Sequence, residues 1–179
     1  MVIVVTGATR GIGRGLAEQF AARGHQVVTC GTTGGDVIAD VTDRDQVRRV
    51  WDTAVDRHGR VDMWINNAGV THSRLPIWEL PAGEAGHVLD VNLNGVVNGC
   101  AVAVQGMAAQ GHGHVWRDAG PTPGRAFRLL ADRVETVTPW LAEQAVARAR
   151  NGAHVRWLTT RKVLTRFALA PFTGRDVFS

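Results

Sequence analysis

The chain alternates between short apolar runs and stretches in which apolar residues recur every three or four positions. An unbroken apolar run over residues 2–6 is typical of a strand buried on both faces. Ile12, Leu16 and Phe20 then follow at helical spacing and predict a helix over residues 11–24. The chain therefore begins with a strand, a glycine-rich turn and a helix.

The same alternation continues along the chain. Strands are predicted over residues 26–31, 36–41, 61–66, 115–116 and 153–159, and helices around residues 47–55 and over 83–109 and 132–150. Thr42 and Asp45 resemble a capping box at the start of the second helix. This order predicts an α/β fold with a doubly wound parallel sheet of about six strands. Ligands bind such sheets at the carboxyl ends of the strands.

Composition suits one globular domain spanning residues 1–179, with 45% hydrophobic and 20% charged residues. Residues 123–179 are predicted to form a basic extension of that domain, with helices and a strand. No apolar run reaches the about 18 residues of a membrane span, and the N-terminus lacks a signal-peptide pattern. Two cysteines cannot form a disulfide framework, so we expect a cytoplasmic protein.

The charge is uneven along the chain. Residues 103–179 carry 11 Lys and Arg against 5 Asp and Glu, whereas residues 1–102 carry 9 against 11. The arginines are scattered with few aromatic residues between them, which favours a solvated basic face over an anionic ligand or membrane surface, and nucleic-acid binding is not expected. Tyrosine is absent and Lys162 is the only lysine. Any mechanism that needs a tyrosine acid or a Tyr/Lys pair is therefore excluded.

The turn TGATRGIG, at residues 6–13, lies between the first strand and the first helix. Gly7 permits a tight turn, Gly11 lets the backbone approach a pyrophosphate, and Gly13 lets the helix pack closely on the strand. The helix N-terminus adds unpaired N–H groups and the positive end of the helix dipole. The turn predicts a dinucleotide site, the alternative being a loop that serves only the fold.

Three further motifs follow within residues 1–116. They are Asp40-Val41 at the end of the third strand, Asn66-Asn67-Ala68-Gly69 after the fourth, and Asn92 in the long helix. With TGATRGIG they resemble the TGxxxGxG, Asp-Val, NNAG and active-site asparagine motifs of the short-chain dehydrogenase/reductase family. The resemblance implies a Rossmann-like fold and a nicotinamide dinucleotide. The stretch from residue 129 onward more loosely resembles the chlorophyll b reductase-like branch of this family.

Two features depart from the family pattern. Only residues 32–35 connect the second and third strands, where the family has a helix. Gly120 falls where the family has its serine, and the segment with Tyr-x-x-x-Lys is missing, together with one crossover of the sheet. In the family the tyrosine protonates the substrate carbonyl and the lysine holds the nicotinamide ribose. The resemblance transfers these roles to no residue of this chain.

The end of the second strand indicates which dinucleotide is bound. Cys30-Gly31-Thr32 provides no acid for a ribose 2′-hydroxyl, whereas Arg10 suits a 2′-phosphate. NADP is favoured, with NAD or no cofactor as alternatives. The predicted cofactor-binding residues are Gly7, Thr9, Arg10, Gly11, Ile12, Gly13, Thr32, Asp40, Val41, Asn67, Ala68 and Gly69.

Four residues are candidates for catalysis at the same sheet edge: His72, Asn92, Arg117 and Asp118. Histidine suits proton exchange near neutrality because its unperturbed pKa is about 6.5. His72 is the predicted proton donor, with Asn92 positioning and Arg117 or Asp118 orienting the substrate. The competing interpretation makes His72 a surface loop residue and Asp118 a turn cap. No metal site is predicted.

Three functions stay open at this point. The first is an oxidoreductase acting on a small apolar carbonyl or alcohol without the usual Ser/Tyr/Lys. The second is a lyase, isomerase or cyclase on the same scaffold, and the third is a dinucleotide-binding pseudoenzyme. Small residues along the long helix allow close packing, and a homodimer is favoured.

Overall fold

The computed structural model describes residues 1–117 and 134–147. The strands are β1 (Val2–Thr6), β2 (Gln26–Gly31), β3 (Val37–Ile38), β4 (Met63–Asn66) and β5 (His114–Arg117). The helices are α1 (Gly11–Ala22), α2 (Arg44–His58), α3 (Glu84–Leu89), α4 (Gly95–Gln110) and α5 (Val134–Ala147). A 3-10 turn covers Ile77–Glu79, and a π-helical turn over Asp90–Asn94 joins α3 to α4.

The strands form one parallel sheet in the order β3-β2-β1-β4-β5. This confirms the predicted Rossmann-like α/β fold. The predicted strand over residues 153–159 lies outside the described residues, so five strands are seen where about six were expected. The strand order reverses between β1 and β4, which places a ligand crevice at their carboxyl ends.

The sheet has an apolar core on each face, which explains the unbroken apolar run of β1. Ile3 and Val5 point to one face, where α1 and α5 pack, and Val4 points to the other, where α2 and α4 pack. Phe20 is fully buried in the first core and Trp64 in the second. Each core therefore contains a fully buried aromatic side chain.

The third strand is shorter than the predicted span of residues 36–41. Asp36 is not paired in the sheet, because its carboxylate folds back onto β2. Its Oδ2 accepts from Thr29 N at 2.9 Å and Thr29 Oγ1 at 2.7 Å, while Arg57 pairs with its Oδ1 at 2.9 Å. These bonds hold the short connection that replaces a helix between β2 and β3.

The start of α2 differs from the predicted capping box by one residue. Asp43, not Thr42, is the N-cap, and its Oδ1 accepts from the N–H groups of Asp45 and Gln46. The Gln46 side chain returns a bond to Asp43 Oδ2 at 2.9 Å. Thr42 bonds Asp40 instead. Gln46 Oε1 accepts from Asp40 N at 3.0 Å and not from the N–H of the N-cap, so Asp43 caps the helix without a full capping box.

The amino ends of the strands are tied together by Asp62, which is almost buried. Its Oδ2 accepts from Val2 N at 2.7 Å, while Arg60 Nε and His112 Nε2 lie 3.1 and 3.2 Å from its Oδ1. Burial by itself raises the pKa of Asp62, but these donors and positive charges outweigh it and lower that pKa. This charged cluster stands at the opposite end of the sheet from the ligand crevice.

The predicted long helix over residues 83–109 is divided by the π-helical turn. A row of exposed apolar side chains follows α3, the π turn and α4; we call it the open face, and it consists of Leu89, Leu93, Val97 and Val104. The last predicted helix, over residues 132–150, is described as α5. Within the described ranges, no helix has both the length and the apolar character to cross a membrane.

Candidate functional site

The glycine-rich turn and the Asn67-Ala68-Gly69 loop are bonded to each other through Thr6, at the end of β1. Thr6 Oγ1 accepts from the N–H groups of Asn67 and Ala68, each at 3.0 Å, and donates to Ile65 O at 3.3 Å. The Asn67 side chain donates to Thr6 O at 2.8 Å and to Gly7 O at 3.1 Å. The two loops therefore form one rigid edge at the carboxyl ends of β1 and β4.

The three glycines of the turn serve different purposes. At Gly7, where φ is +63°, an added Cβ would lie 2.6 Å from Ala68 Cα, and at Gly13 it would collide with the Asn67 side chain and Gly7 O. These two glycines are needed for the loops to pack. Gly11 has φ +58°, but no described residue lies within 4 Å of an added Cβ. Space therefore lies beside its backbone, as close approach of a ligand requires.

The N-terminus of α1 has no side-chain cap within the described residues. Arg10 is the N-cap, with extended backbone, and its side chain makes no capping bond; the first turn has no acidic residue. The N–H groups of Gly11, Ile12 and Gly13 precede the first acceptor that a helix can provide. Such a helix end, with a positive dipole and a glycine turn before it, fits a phosphate. The residues present thus fit a dinucleotide pyrophosphate.

The end of β2 lies against the same turn. An added Cβ at Gly31 would be 2.8 Å from Thr9 Cγ2, so the threonine packs directly on the strand end. Thr32 follows this contact and is exposed, as is Arg10. The structure therefore leaves both predicted 2′-phosphate residues accessible.

Asp40 and Val41 both make contacts within the protein that stabilise the fold. Asp40 Oδ1 accepts from Thr42 N at 2.9 Å and Thr42 Oγ1 at 2.8 Å. The side chain of Val41 is buried against Gly95, and its carbonyl accepts from Asn98 Nδ2 at 3.0 Å. These contacts hold the β3–α2 connection against α4. A role for this pair beside an adenine ring stays a prediction.

Asn92 lies in the π-helical turn and holds the loop that follows β4. Its Oδ1 accepts from Val70 N at 2.9 Å and its Nδ2 donates to Val70 O at 2.8 Å. Gly69 passes close by, because an added Cβ there would be 3.2 Å from Asn92 Oδ1. Single π turns within helices are frequent at functional sites. Here the turn directs the asparagine toward the sheet edge.

His72 is exposed, two residues beyond the backbone held by Asn92. Its Nδ1 lies 2.6 Å from Ser73 O. Ser73 N donates to Glu84 Oε1, and Ser73 Oγ donates to Glu84 Oε2 at 2.8 Å. These two bonds lower the pKa of Glu84. Sequence reasoning did not single out Ser73 or Glu84, since no local motif joins residues that far apart.

Arg117 pairs with Asn66 in the sheet and is the last residue of β5, so its backbone lies at the same edge. Its side chain and the whole of Asp118 lie outside the described residues. Trp78, in the 3-10 turn, has 81% of its surface exposed, so the described part of the chain does not enclose it.

The two cysteines contact residues of this edge from inside the fold. Burial raises the pKa of the Cys30 thiol to about 11, so the thiol is protonated and unreactive at neutral pH. Cys100 is only partly buried, and its sulfur accepts from Asn66 Nδ2 at 3.4 Å. Asn66 Oδ1 in turn accepts from Trp64 Nε1 at 2.9 Å. An added Cβ at Gly99 would collide with Asn66 Oδ1, so α4 packs tightly on this network.

A sequence profile described as short chain dehydrogenase matches residues 1–116. The chain therefore belongs to the short-chain dehydrogenase/reductase family, as its motifs predict. The resemblance of the C-terminal stretch to one branch lies outside the matched residues and stays a prediction.

Individual relatives share the same part of the chain. An NADPH-dependent pterin aldehyde reductase from Arabidopsis thaliana is 31% identical over 112 residues, which cover 54% of this chain and 46% of that protein. A 3-oxoacyl-(acyl-carrier-protein) reductase from Escherichia coli strain K12 is 31% identical over 128 residues, covering 64% and 52%. The crystal structure of levodione reductase superposes with a TM-score of 0.61 at 25% identity, covering 84% of this chain and 64% of that one. The chain spans about half the length of these two curated relatives.

Proposed function

We propose that this protein is an NADP(H)-binding oxidoreductase that acts on a small apolar carbonyl or alcohol. The observation that carries the proposal is the edge that Thr6 builds, where two loops are bonded together below an uncapped helix N-terminus. A nicotinamide dinucleotide, when bound, supplies or takes up the hydride. The NADPH-dependent relative supports this cofactor.

The preference for NADP(H) rests on charge at the adenosine end. Arg10 is exposed beside the turn, and β2 ends without the carboxylate that would bond a ribose 2′-hydroxyl. An arginine can meet a 2′-phosphate with two parallel charge-assisted bonds. Thr32 adds a hydroxyl at the same strand end.

The chemistry needs a proton donor that this chain can provide. Reduction of a carbonyl builds negative charge on its oxygen, so an acid must lie beside that oxygen. The chain has no tyrosine, and His72 follows the loop that Asn92 holds at the sheet edge. In the proposal His72 donates the proton, Asn92 positions the loop, and Arg117 or Asp118 orients the substrate.

Calorimetric titration with NADPH and NADH tests the cofactor assignment. Arg10→Ala removes the proposed 2′-phosphate contact and should weaken NADPH binding by about 10-fold or more, the equivalent of one charge-assisted hydrogen bond. NADH binding should not change. Arg14→Ala is the matched control, because Arg14 is an exposed arginine on the same helix that pairs with Glu18. Wild-type protein that binds neither dinucleotide would contradict the proposal.

The open face supports the proposal of a homodimer. Four large apolar side chains in one row on a helix surface, each between 49% and 60% exposed, are a typical protein contact surface. Val97→Glu should shift the protein toward the monomer in sedimentation velocity runs. A monomeric wild-type protein would refute the dimer.

The cytoplasm is the proposed compartment, since two cysteines provide no disulfide framework.

A second candidate function is dinucleotide binding without turnover. The absence of any tyrosine favours it, because the resemblance gives that residue the role of proton donor. Such a pseudoenzyme would keep the edge built by Thr6 and lose only catalysis. Tight NADPH binding with no oxidation of the cofactor by any substrate would identify it.

A further inference from the structure

His72 lies between two anchors that come from the same helical segment. On one side, Asn92 bonds both backbone groups of Val70. On the other side, Glu84, the first residue of α3, accepts from both the N–H and the hydroxyl of Ser73. The segment from α3 to the π turn thus fixes the loop on both sides of an exposed histidine.

The contact of the imidazole with this loop determines where its proton lies. His72 Nδ1 is 2.6 Å from Ser73 O. A backbone carbonyl only accepts hydrogen bonds, so Nδ1 must carry the hydrogen. A neutral imidazole has one ring proton, which leaves Nε2 bare in the neutral form. Nε2 is therefore the atom that gains and releases a proton.

We infer that Glu84 is a positioning residue that acts through Ser73 to hold His72 as the Nδ1–H tautomer, with Nε2 as the proton-exchanging atom. The catalytic meaning of this inference rests on the proposed function. With its N–H and its hydroxyl both bonded to one carboxylate, Ser73 has little freedom to turn. Its carbonyl therefore stays directed at the imidazole ring. In many functional histidines a backbone carbonyl of this kind accepts from Nδ1–H and so sets the tautomer.

Nitrogen-15 NMR of the histidine side chains tests this without substrate or dinucleotide. At alkaline pH, where histidine is neutral, wild-type His72 should show the Nδ1–H pattern, and His72→Ala identifies its signals. Glu84→Gln keeps the size of the side chain but gives Ser73 only one acceptor oxygen. The spectrum should then move toward the Nε2–H form that an unconstrained imidazole favours in water.

Glu79→Gln is the matched control, because Glu79 is an exposed acid in the neighbouring 3-10 turn. It should leave the tautomer unchanged. If Glu84→Gln fails to fold, Ser73→Ala serves as the second variant. It removes only the hydrogen bond of the hydroxyl and should shift the tautomer equilibrium by an intermediate amount. An Nε2–H tautomer in the wild type, or the same tautomer in wild type and Glu84→Gln, would overturn the inference.

Turnover measurements separate this inference from the proposed function. If the tautomer responds to Glu84→Gln while His72→Ala keeps full activity, the positioning stands and the catalytic role of His72 fails. If His72→Ala abolishes turnover while Glu84→Gln leaves the tautomer unchanged, the catalytic role stands and the positioning fails.

Discussion

Replacement of Gly11 by alanine separates the binding role of the glycine turn from its role in the fold. Gly11 has φ +58°, and an added Cβ meets no atom of the described residues within 4 Å. The methyl group would therefore collide with none of those residues. It would stand in the space beside the helix N-terminus, where the proposed pyrophosphate approaches the backbone.

Two free energies change, and their magnitudes differ. A left-handed backbone conformation costs a non-glycine residue about 1–2 kcal/mol of the free energy of unfolding. For a chain of this size, each kcal/mol lost lowers the melting temperature by about 2–4 °C. Loss of one hydrogen bond to a charged phosphate costs about 1.5–3 kcal/mol of binding. That corresponds to a weakening of NADPH binding by about 10- to 150-fold.

Gly59→Ala is the control for backbone strain. Gly59 has φ +80°, ends α2 as its C-cap and also has nothing within 4 Å of an added Cβ. Both variants should lose similar stability in thermal unfolding, but only Gly11→Ala should lose NADPH affinity in calorimetry. Wild-type affinity in Gly11→Ala, or an equal loss in Gly59→Ala, would refute the assignment of the turn as a phosphate site.

Three further predictions concern the fold. Because its pKa is lowered, the Asp62 carboxylate stabilises the folded state above the unfolded pKa of about 3.9, and this stabilisation is lost as the pH falls through the folded pKa. Asp62→Asn should therefore lower the free energy of unfolding by about 1–3 kcal/mol at pH 7 and match wild type in strong acid. Urea unfolding across pH checks this, and the exposed control Asp52→Asn should have unchanged stability. Gly99→Ala should destabilise the fold by about 1–3 kcal/mol through overpacking. Gly86→Ala, with open space around it in α3, should stabilise the fold by about 0.5–1 kcal/mol. Equal effects of the two substitutions in thermal unfolding would contradict the tight packing at Gly99. Cys30 should not react with a thiol reagent at neutral pH until urea unfolds the protein, and rapid labelling of both cysteines in the native state would contradict its burial.

The order of strands and helices could be predicted from the sequence because each element has its own apolar period. The run over residues 2–6 is apolar at every position since β1 contributes to both cores. The glycines of the turn were predictable for a similar reason, because their spacing matches a local backbone geometry. Both kinds of information lie within a few consecutive residues.

The internal bonds of the site could not be predicted in this way. Thr6 meets Asn67 across 61 positions, and Ser73 meets Glu84 across 11, so no periodic pattern connects them. The π turn at Asn92 leaves the helical apolar period almost unchanged, and it therefore interrupts a helix that the sequence presents as continuous. Such features depend on which loops the fold brings together.

Nicotinamide absorbance during incubation with small apolar ketones and aldehydes tests the central claim most directly. NADPH should be oxidised by the wild type and by His58→Ala, whose histidine ends α2 away from the site. In His72→Ala the rate should fall by about 10²- to 10⁴-fold, the usual contribution of a positioned acid. Bound NADPH that no substrate oxidises, or substrate conversion with no change in nicotinamide absorbance, would contradict the account.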